Sequence, residues 1–106
     1  MGNYPQLVIN HEALRQNASL VNKWCTDNNI LFCAVIKSSC GMMSVARDYV
    51  ESGARMLASS RIEQLKRCRD EGFAVPRLMI RVPMLSEIEE VVDIADYSLN
   101  SEEITL

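Results

Sequence analysis

The chain has 106 residues, of which 48% are hydrophobic and 24% charged, and its formal net charge is −3 at pH 7. This length fits one domain, and the acidic balance excludes the basic surface that binds a nucleic-acid backbone. No apolar run reaches the roughly 18 residues that a membrane helix needs, and the N-terminus lacks the pattern of a signal peptide. We therefore expect a cytoplasmic protein that binds neither nucleic acid nor membrane.

The first part of the chain predicts two helices and two strands. After Asn10, a good N-cap, apolar residues recur at spacings of three and four as far as residues 27–29, which predicts the first helix. Residues 30–36 form an apolar run, which we interpret as a strand buried on both faces. A second helix follows and ends at Gly53, and residues 55–59 predict the second strand.

Two further helices are predicted to begin with capping boxes. Residues 60–63 and 86–89 both have the S-x-x-E form, in which serine and glutamate side chains satisfy exposed backbone N–H groups. The third helix ends at Gly72 and precedes a strand at 77–82, and the fourth precedes a strand at 96–100. The fourth helix is predicted to place four apolar residues on one face: Ile88, Val91, Val92 and Ala95.

The regular alternation of strand and helix predicts an α/β chain with parallel strands and right-handed crossovers. Two architectures share this pattern: an open doubly wound sheet, and the N-terminal half of a (β/α)₈ TIM-type barrel with about four βα units. Residues 101–106 have the pattern of a further helix that has just begun, and a natural domain rarely stops at such a point. Leu106 therefore has the character of a fragment boundary, and we favour the half barrel.

Functional side chains in both architectures lie at the C-terminal ends of the strands. Those ends are residues 37–41, 59–61, 81–84 and 100–101. Lys37 directly ends an apolar strand, where partial desolvation would leave more of its amine neutral and nucleophilic. Such an amine forms Schiff bases with aldehydes, including that of pyridoxal phosphate. The alternative is a lysine whose amine simply extends into solvent.

Other polar residues have structural interpretations. Arg81 lies inside an apolar segment and needs an anionic partner, either a structural carboxylate or a group on a ligand. His11 is interpreted as a surface residue and has no second ligand to complete a metal site, so no metal is expected. The third helix carries a basic cluster that we interpret as its solvated face: Arg61, Lys66, Arg67 and Arg69. The cysteines show no disulfide or metal spacing, and the one nearest the strand-end lysine is Cys40.

Five segments resemble, in order, the N-terminal half of the alanine racemase-like barrel family, with the ornithine-type branch nearest: YPQLVINHEALRQNASLV, AVIKSSCG, ASSRIEQLKR, LMIRVPMLSE and DYSLNSEEIT. In that family the lysine that ends the first barrel strand carries pyridoxal phosphate as a Schiff base, and the matching residue is Lys37. The resemblance implies an amino-acid racemase in which Lys37 is both catalytic and cofactor-binding. Residues 1–106 would form the N-terminal part of its barrel, and Arg81 is a second cofactor-binding candidate.

The resemblance has departures, and it leaves alternatives open. Alanine racemases proper carry a tyrosine and a histidine just after the lysine, where this chain has Ser38, Ser39, Cys40 and Gly41. The resemblance implies that the phosphate site, the second acid/base and the partner of the pyridine nitrogen lie on later strands, beyond Leu106. We therefore expect the chain alone to be inactive and to self-associate through its exposed half-barrel edges. The alternatives are a non-catalytic pyridoxal-phosphate carrier or homeostasis protein, and a small open-sheet binding module.

Overall fold

Helices and strands alternate along the chain in this computed structural model, which describes residues 5–39, 42–101 and 103. In these residues the elements are α1 His11–Asp27, β1 Cys33–Val35, α2 Met43–Glu51, β2 Met56–Ser59, α3 Ile62–Asp70, β3 Arg77–Met79, α4 Ile88–Ile94 and β4 Tyr97–Ser98. A 3₁₀ turn at Lys37–Ser39 follows β1, and another at Leu85–Glu87 precedes α4. The predicted succession of elements is thus confirmed, although each strand is shorter than predicted.

The four strands form one parallel sheet in the order β1-β2-β3-β4. Its register aligns a row of four residues, one from each strand: Val35, Ala58, Leu78 and Tyr97. A doubly wound sheet reverses its strand order at a switch point, whereas a barrel adds each strand beside the preceding one. The observed order is therefore that of the N-terminal half of a TIM-type barrel, and the half-barrel prediction is confirmed.

The helices cover one face of the sheet. Ala34 and Leu57 are buried in the core between helices and sheet. Because side chains alternate along a strand, the aligned row that starts at Val35 points to the opposite face, here called the inner face. Val35 is 39% exposed, so the prediction that the first strand is buried on both faces is wrong. Val92 is 75% exposed because α4 packs through Val91 and Ile94 instead.

Of the three predicted helix starts, that of α1 is confirmed and those of α3 and α4 involve other residues. The Asn10 side chain caps α1 as predicted, accepting from the N–H of Ala13 at 3.0 Å. At α3 the predicted box is wrong: the hydroxyl of Ser59, buried at the end of β2, accepts from the N–H of Arg61 at 3.1 Å. Before α4 the carboxylate that reaches back belongs to Glu87, two residues earlier than the predicted glutamate.

A buried carboxylate joins α1 to α2. Asp48 on α2 is 3% exposed, accepts a hydrogen bond from Arg15 Nη1 at 2.9 Å and contacts the ring nitrogen Nδ1 of His11. Ser52 adds a second link, since its hydroxyl donates to the Arg15 carbonyl at 3.2 Å. His11 therefore has a structural partner and is not simply a surface residue, and α1 is fixed against the first βα unit.

Candidate functional site

Lys37 lies where the first strand ends. The N–H of Ile36 donates to the carbonyl of Ala58 at 2.9 Å, and the 3₁₀ turn then begins at Lys37. The Lys37 side chain is exposed, so the predicted desolvation is absent. β1 is an edge strand of this sheet, with no further strand beside it in the described ranges. The amine is thus placed at the C-terminal edge of the sheet and open to small molecules.

A cavity of about 280 Å³ lies beside this lysine and is lined by Lys37, Arg61, Glu63, Gln64 and Arg67. We call it the basic cavity, because three cations surround it and only one carboxylate. Among the residues that the structure describes, none of these three cations is in an ion pair. Their positive charge is therefore not neutralised by the protein's own side chains.

Gln64, which lines the basic cavity, forms a buried polar pair with Ser59. Ser59 is fully buried and Gln64 is 8% exposed. The Ser59 hydroxyl accepts from the Arg61 N–H and donates its single proton to Gln64 Oε1. The amide N–H₂ of Gln64 has no protein acceptor among the described residues, but it is not a buried unpaired group, since solvent reaches it. Gln64 thus presents donors at the edge of an electropositive cavity.

Arg81 follows β3, and its guanidinium donates hydrogen bonds to groups of the protein itself. Its Nε donates to the Ser60 carbonyl at 2.8 Å, its Nη2 to Glu87 at 2.7 Å, and its Nη1 to the next residue's carbonyl at 3.4 Å. A hydrogen bond from the backbone N–H of Met84 is the main cause that holds the pKa of the Glu87 carboxyl below its usual value. The Arg81 guanidinium lowers this pKa as well. These contacts match the structural-carboxylate interpretation. Arg81 does not line the basic cavity, and its role in cofactor binding stays a prediction.

The other residues considered in the sequence analysis differ in their contacts and burial. Lys66 is exposed and Arg69 pairs with Asp93 at 3.2 Å, as expected for a solvated helix face. Burial raises the pKa of the Cys68 thiol to about 11, which suits an inert core residue. Cys40 and Gly41 lie outside the described residues.

The C-terminal end of β4 holds an unpartnered acceptor. Asn100 donates from its amide nitrogen to the Ser98 hydroxyl at 2.9 Å. Its Oδ1 is buried and, within the described ranges, has no hydrogen-bond donor. This oxygen lies at the same edge of the sheet as Lys37, since parallel strands end on one side. The edge therefore offers an acceptor as well as cations.

Neither a metal centre nor a membrane helix occurs in the part of the chain that the structure describes. No three histidine, cysteine, aspartate or glutamate side chains there come together in a group that could hold a metal ion. None of the helices found in residues 5–39 and 42–101 is long and apolar enough to cross a bilayer.

Comparison with known proteins gives matches to one family. Residues 9–105 match the family described as alanine racemase, N-terminal domain. The chain is similar to an ornithine racemase of Acetoanaerobium sticklandii, with 34% identity over 103 residues that cover 97% of this chain and 29% of that protein. It is also similar to a lysine racemase of Thermotoga maritima, with 31% identity over 99 residues, or 93% and 28% of the two proteins. The chain spans less than a third of these curated relatives, and no solved structure matches it.

Proposed function

Since the chain belongs to the alanine racemase N-terminal domain family, we propose that it is the part of a pyridoxal-phosphate-dependent amino-acid racemase that supplies the cofactor lysine, Lys37. The observation that carries this proposal is the position of Lys37, directly after β1 at the C-terminal edge of the parallel sheet. Barrels of this topology hold their ligands at that edge. Both named relatives are racemases, which favours catalysis over a cofactor-carrier role.

Lys37 at this edge fits the reactive aldehyde of the cofactor. An aldehyde requires a primary amine to form a Schiff base, and the amine of Lys37 is exposed. When bound, pyridoxal phosphate supplies the electron sink that acidifies the Cα–H bond of an amino acid. In the proposed reaction, Lys37 Nζ takes and returns that proton on one face of the substrate.

Racemisation needs an acid/base on each face of Cα, and the proposal assigns only Lys37, for one face. We therefore propose that the 106-residue chain alone has no racemase activity and that residues 1–106 supply the first four βα units of the active barrel. The substrate class proposed is an amino acid with a cationic side chain, on the strength of the names of the two relatives. Chiral chromatography of ornithine and lysine after incubation with the chain tests the proposed inactivity, and turnover by the chain alone would contradict it.

Covalent labelling tests the role of Lys37. The chain is incubated with pyridoxal phosphate, reduced with borohydride, digested and mapped by mass spectrometry. We expect one adduct per chain at Lys37, and its loss in Lys37→Arg. Lys23 and Lys66 are internal controls, because both are exposed on helices away from the sheet edge. Labelling spread evenly over the three lysines, or absent from Lys37, would overturn the proposal.

We also propose that the 106-residue chain self-associates through its inner face. Tyr97 and Leu99 are 57% and 54% exposed, and β1 and β4 are edge strands whose outer backbone groups have no strand partner in the described ranges. Exposed apolar surface beside open strand edges favours association between copies. Light scattering should therefore give a dimer or larger species.

A matched pair of substitutions assigns the association to this face. Val35→Lys places a charge on the inner face, whereas Val92→Lys places the same charge on the exposed side of α4. We expect the first change to shift the equilibrium towards monomer and the second to leave it unaltered, with circular dichroism showing that both variants fold. A monodisperse monomer of the unmodified chain would contradict the proposal.

A further inference from the structure

The two open edges of the sheet carry an inference about how copies of the chain associate. We propose that two copies close into one eight-stranded barrel, in which β4 of each copy pairs in parallel with β1 of the other. The inference rests on the proposed self-association, and it adds the edges that meet and the number of copies. The surface that binds the second copy is therefore the pair of edge strands together with the inner face.

The first argument is the strand order. Each strand is parallel to the one before it, and the strands left at the two edges are β1 and β4. A (β/α)₈ barrel has eight parallel strands in sequential order and no open edge. Two copies related by a twofold axis along the barrel supply eight strands, and each junction between them continues the parallel ladder. The dimer thus satisfies the backbone groups of both edges.

The second argument is the charge of the two edges. Residues 85–101, which contain α4 and β4, have five carboxylates and no lysine or arginine. Two of these carboxylates, on Glu89 and Glu90, are exposed and form no ion pair within the described residues. Residues 5–39, which contain α1 and β1, have three lysine or arginine residues and two carboxylates. Because two acidic edges side by side would repel each other, contact between β4 and β1 is favoured over contact between two β4 strands.

The third argument is the register that closure imposes. The strands of a (β/α)₈ barrel are staggered by a shear number of about 8, so each half contributes a shift of about four residues. The right-handed tilt of the strands directs this shift towards the start of β1, which places Tyr97 beside Leu31 of the second copy. An even shift keeps inner-face residues on the inner face. Leu31 is 70% exposed in the single chain, so closure covers two exposed apolar side chains at each junction.

The closed dimer changes the surroundings of Lys37. All eight strands run in the same direction, so the two Lys37 side chains lie at one end of the barrel. Lys37 is exposed in the single chain and follows the edge strand β1. In the dimer β4 of the second copy lies beside that strand. Each candidate site is then formed by β1 of one copy and the end of β4 of the other.

Disulfide cross-linking tests which edges meet. The same shift places Leu99 beside Cys33 of the second copy, so Leu99→Cys puts two thiols on adjacent strands. Within one chain β1 and β4 lie about 14 Å apart, beyond the roughly 7 Å that a disulfide spans between Cα atoms. After mild oxidation we expect a covalent dimer in which peptide mapping finds Cys33 joined to the introduced thiol. A disulfide between two introduced thiols, or no covalent dimer, would overturn the closed barrel.

A matched variant controls for register. Ser98→Cys places the thiol one residue earlier, on the opposite face of β4, where Cys33 of the second copy is out of reach. We expect little of the product that contains Cys33, and a yield equal to that of Leu99→Cys would overturn the proposed register. Circular dichroism shows that both variants fold.

Closure also fixes the number of copies. Sedimentation equilibrium of the unmodified chain should give twice its mass of 12.0 kDa, and this value should not rise with concentration, since a closed barrel has no free edge. Species that grow beyond the dimer would overturn the closed barrel and leave the proposed self-association intact. A monomer would overturn both.

Discussion

Replacing Asp48 by asparagine tests the contact that holds α1 against α2. The carboxylate of Asp48 is buried, accepts from Arg15 at 2.9 Å and contacts His11. Asparagine has nearly the same shape but no charge, and its amide nitrogen cannot accept a hydrogen bond from the guanidinium. The change therefore removes two charge-assisted contacts and leaves the packing volume almost unaltered.

The exposure of the partners sets the size of the effect. Removing one member of a fully buried ion pair costs about 3–5 kcal/mol, because the other charge is left without solvent. His11 and Arg15 have side chains that are 42% and 46% exposed, so water can hydrate both after the change. We therefore expect Asp48→Asn to lower the free energy of unfolding by about 2 kcal/mol, near the cost of losing one hydrogen bond to a charged group. For a chain of this size that corresponds to a fall of about 10 °C in Tm.

Urea denaturation followed by circular dichroism measures this change. Glu71→Gln is the control, since it is the same carboxylate-to-amide change in an exposed pair with Arg47 at 3.4 Å, which should contribute less than about 0.5 kcal/mol. If the two variants lose equal stability, then the buried carboxylate does not hold α1, and the reasoning is refuted.

Three further predictions concern single residues. Gly53 has φ +106°, and a Cβ there would lie 2.3 Å from Asn22 Nδ2, whereas Gly72 has φ +82° and open space around it. Gly53→Ala should therefore lose about 1 kcal/mol more unfolding free energy than Gly72→Ala. Equal losses, measured by urea denaturation, would contradict a steric effect of Asn22. The lowered pKa of Glu87 means that its carboxylate stabilises the fold above its ordinary value of 4.5 and loses this effect as the pH falls through the folded-state value. In Glu87→Gln the free energy of unfolding should therefore fall less steeply as the pH is lowered through this range. A dependence on pH equal to that of the unmodified chain would contradict this prediction. Because burial raises the pKa of Cys68 to about 11, a thiol reagent at mildly alkaline pH should modify it only after unfolding; rapid modification of the folded chain would show that the thiol is accessible.

The order of elements could be predicted because it depends on local patterns. Apolar spacing and the Asn10 cap define α1 without any tertiary information, and the alternation of strand and helix limits the sheet to two parallel topologies. The capping box at Ser60 failed because Ser59, one residue earlier, is directed into the core and its hydroxyl reaches the helix start. A sequence pattern does not tell which of two adjacent serines faces inward.

The candidate site could be predicted only in part. Lys37 was found from its position after an apolar strand, but its exposure depends on what covers the inner face, which is a tertiary property. In the sequence Arg67 and Arg69 look equivalent, and only their partners separate a cavity residue from an ion-paired one. No sequence pattern identified Asp48, because the sequence does not distinguish a buried aspartate from an exposed one. The cytoplasmic location stays a prediction.

The strand order described above has a consequence for how the chain acquires its structure. Each strand pairs with the one before it, and the partners lie roughly 20 residues apart in sequence. Closing such short loops costs little chain entropy, so pairing is fast compared with sheets that join distant segments. As the chain leaves the ribosome, each new βα unit finds its neighbour already in place. A barrel with this order can therefore be assembled during synthesis, unit by unit from the N-terminus.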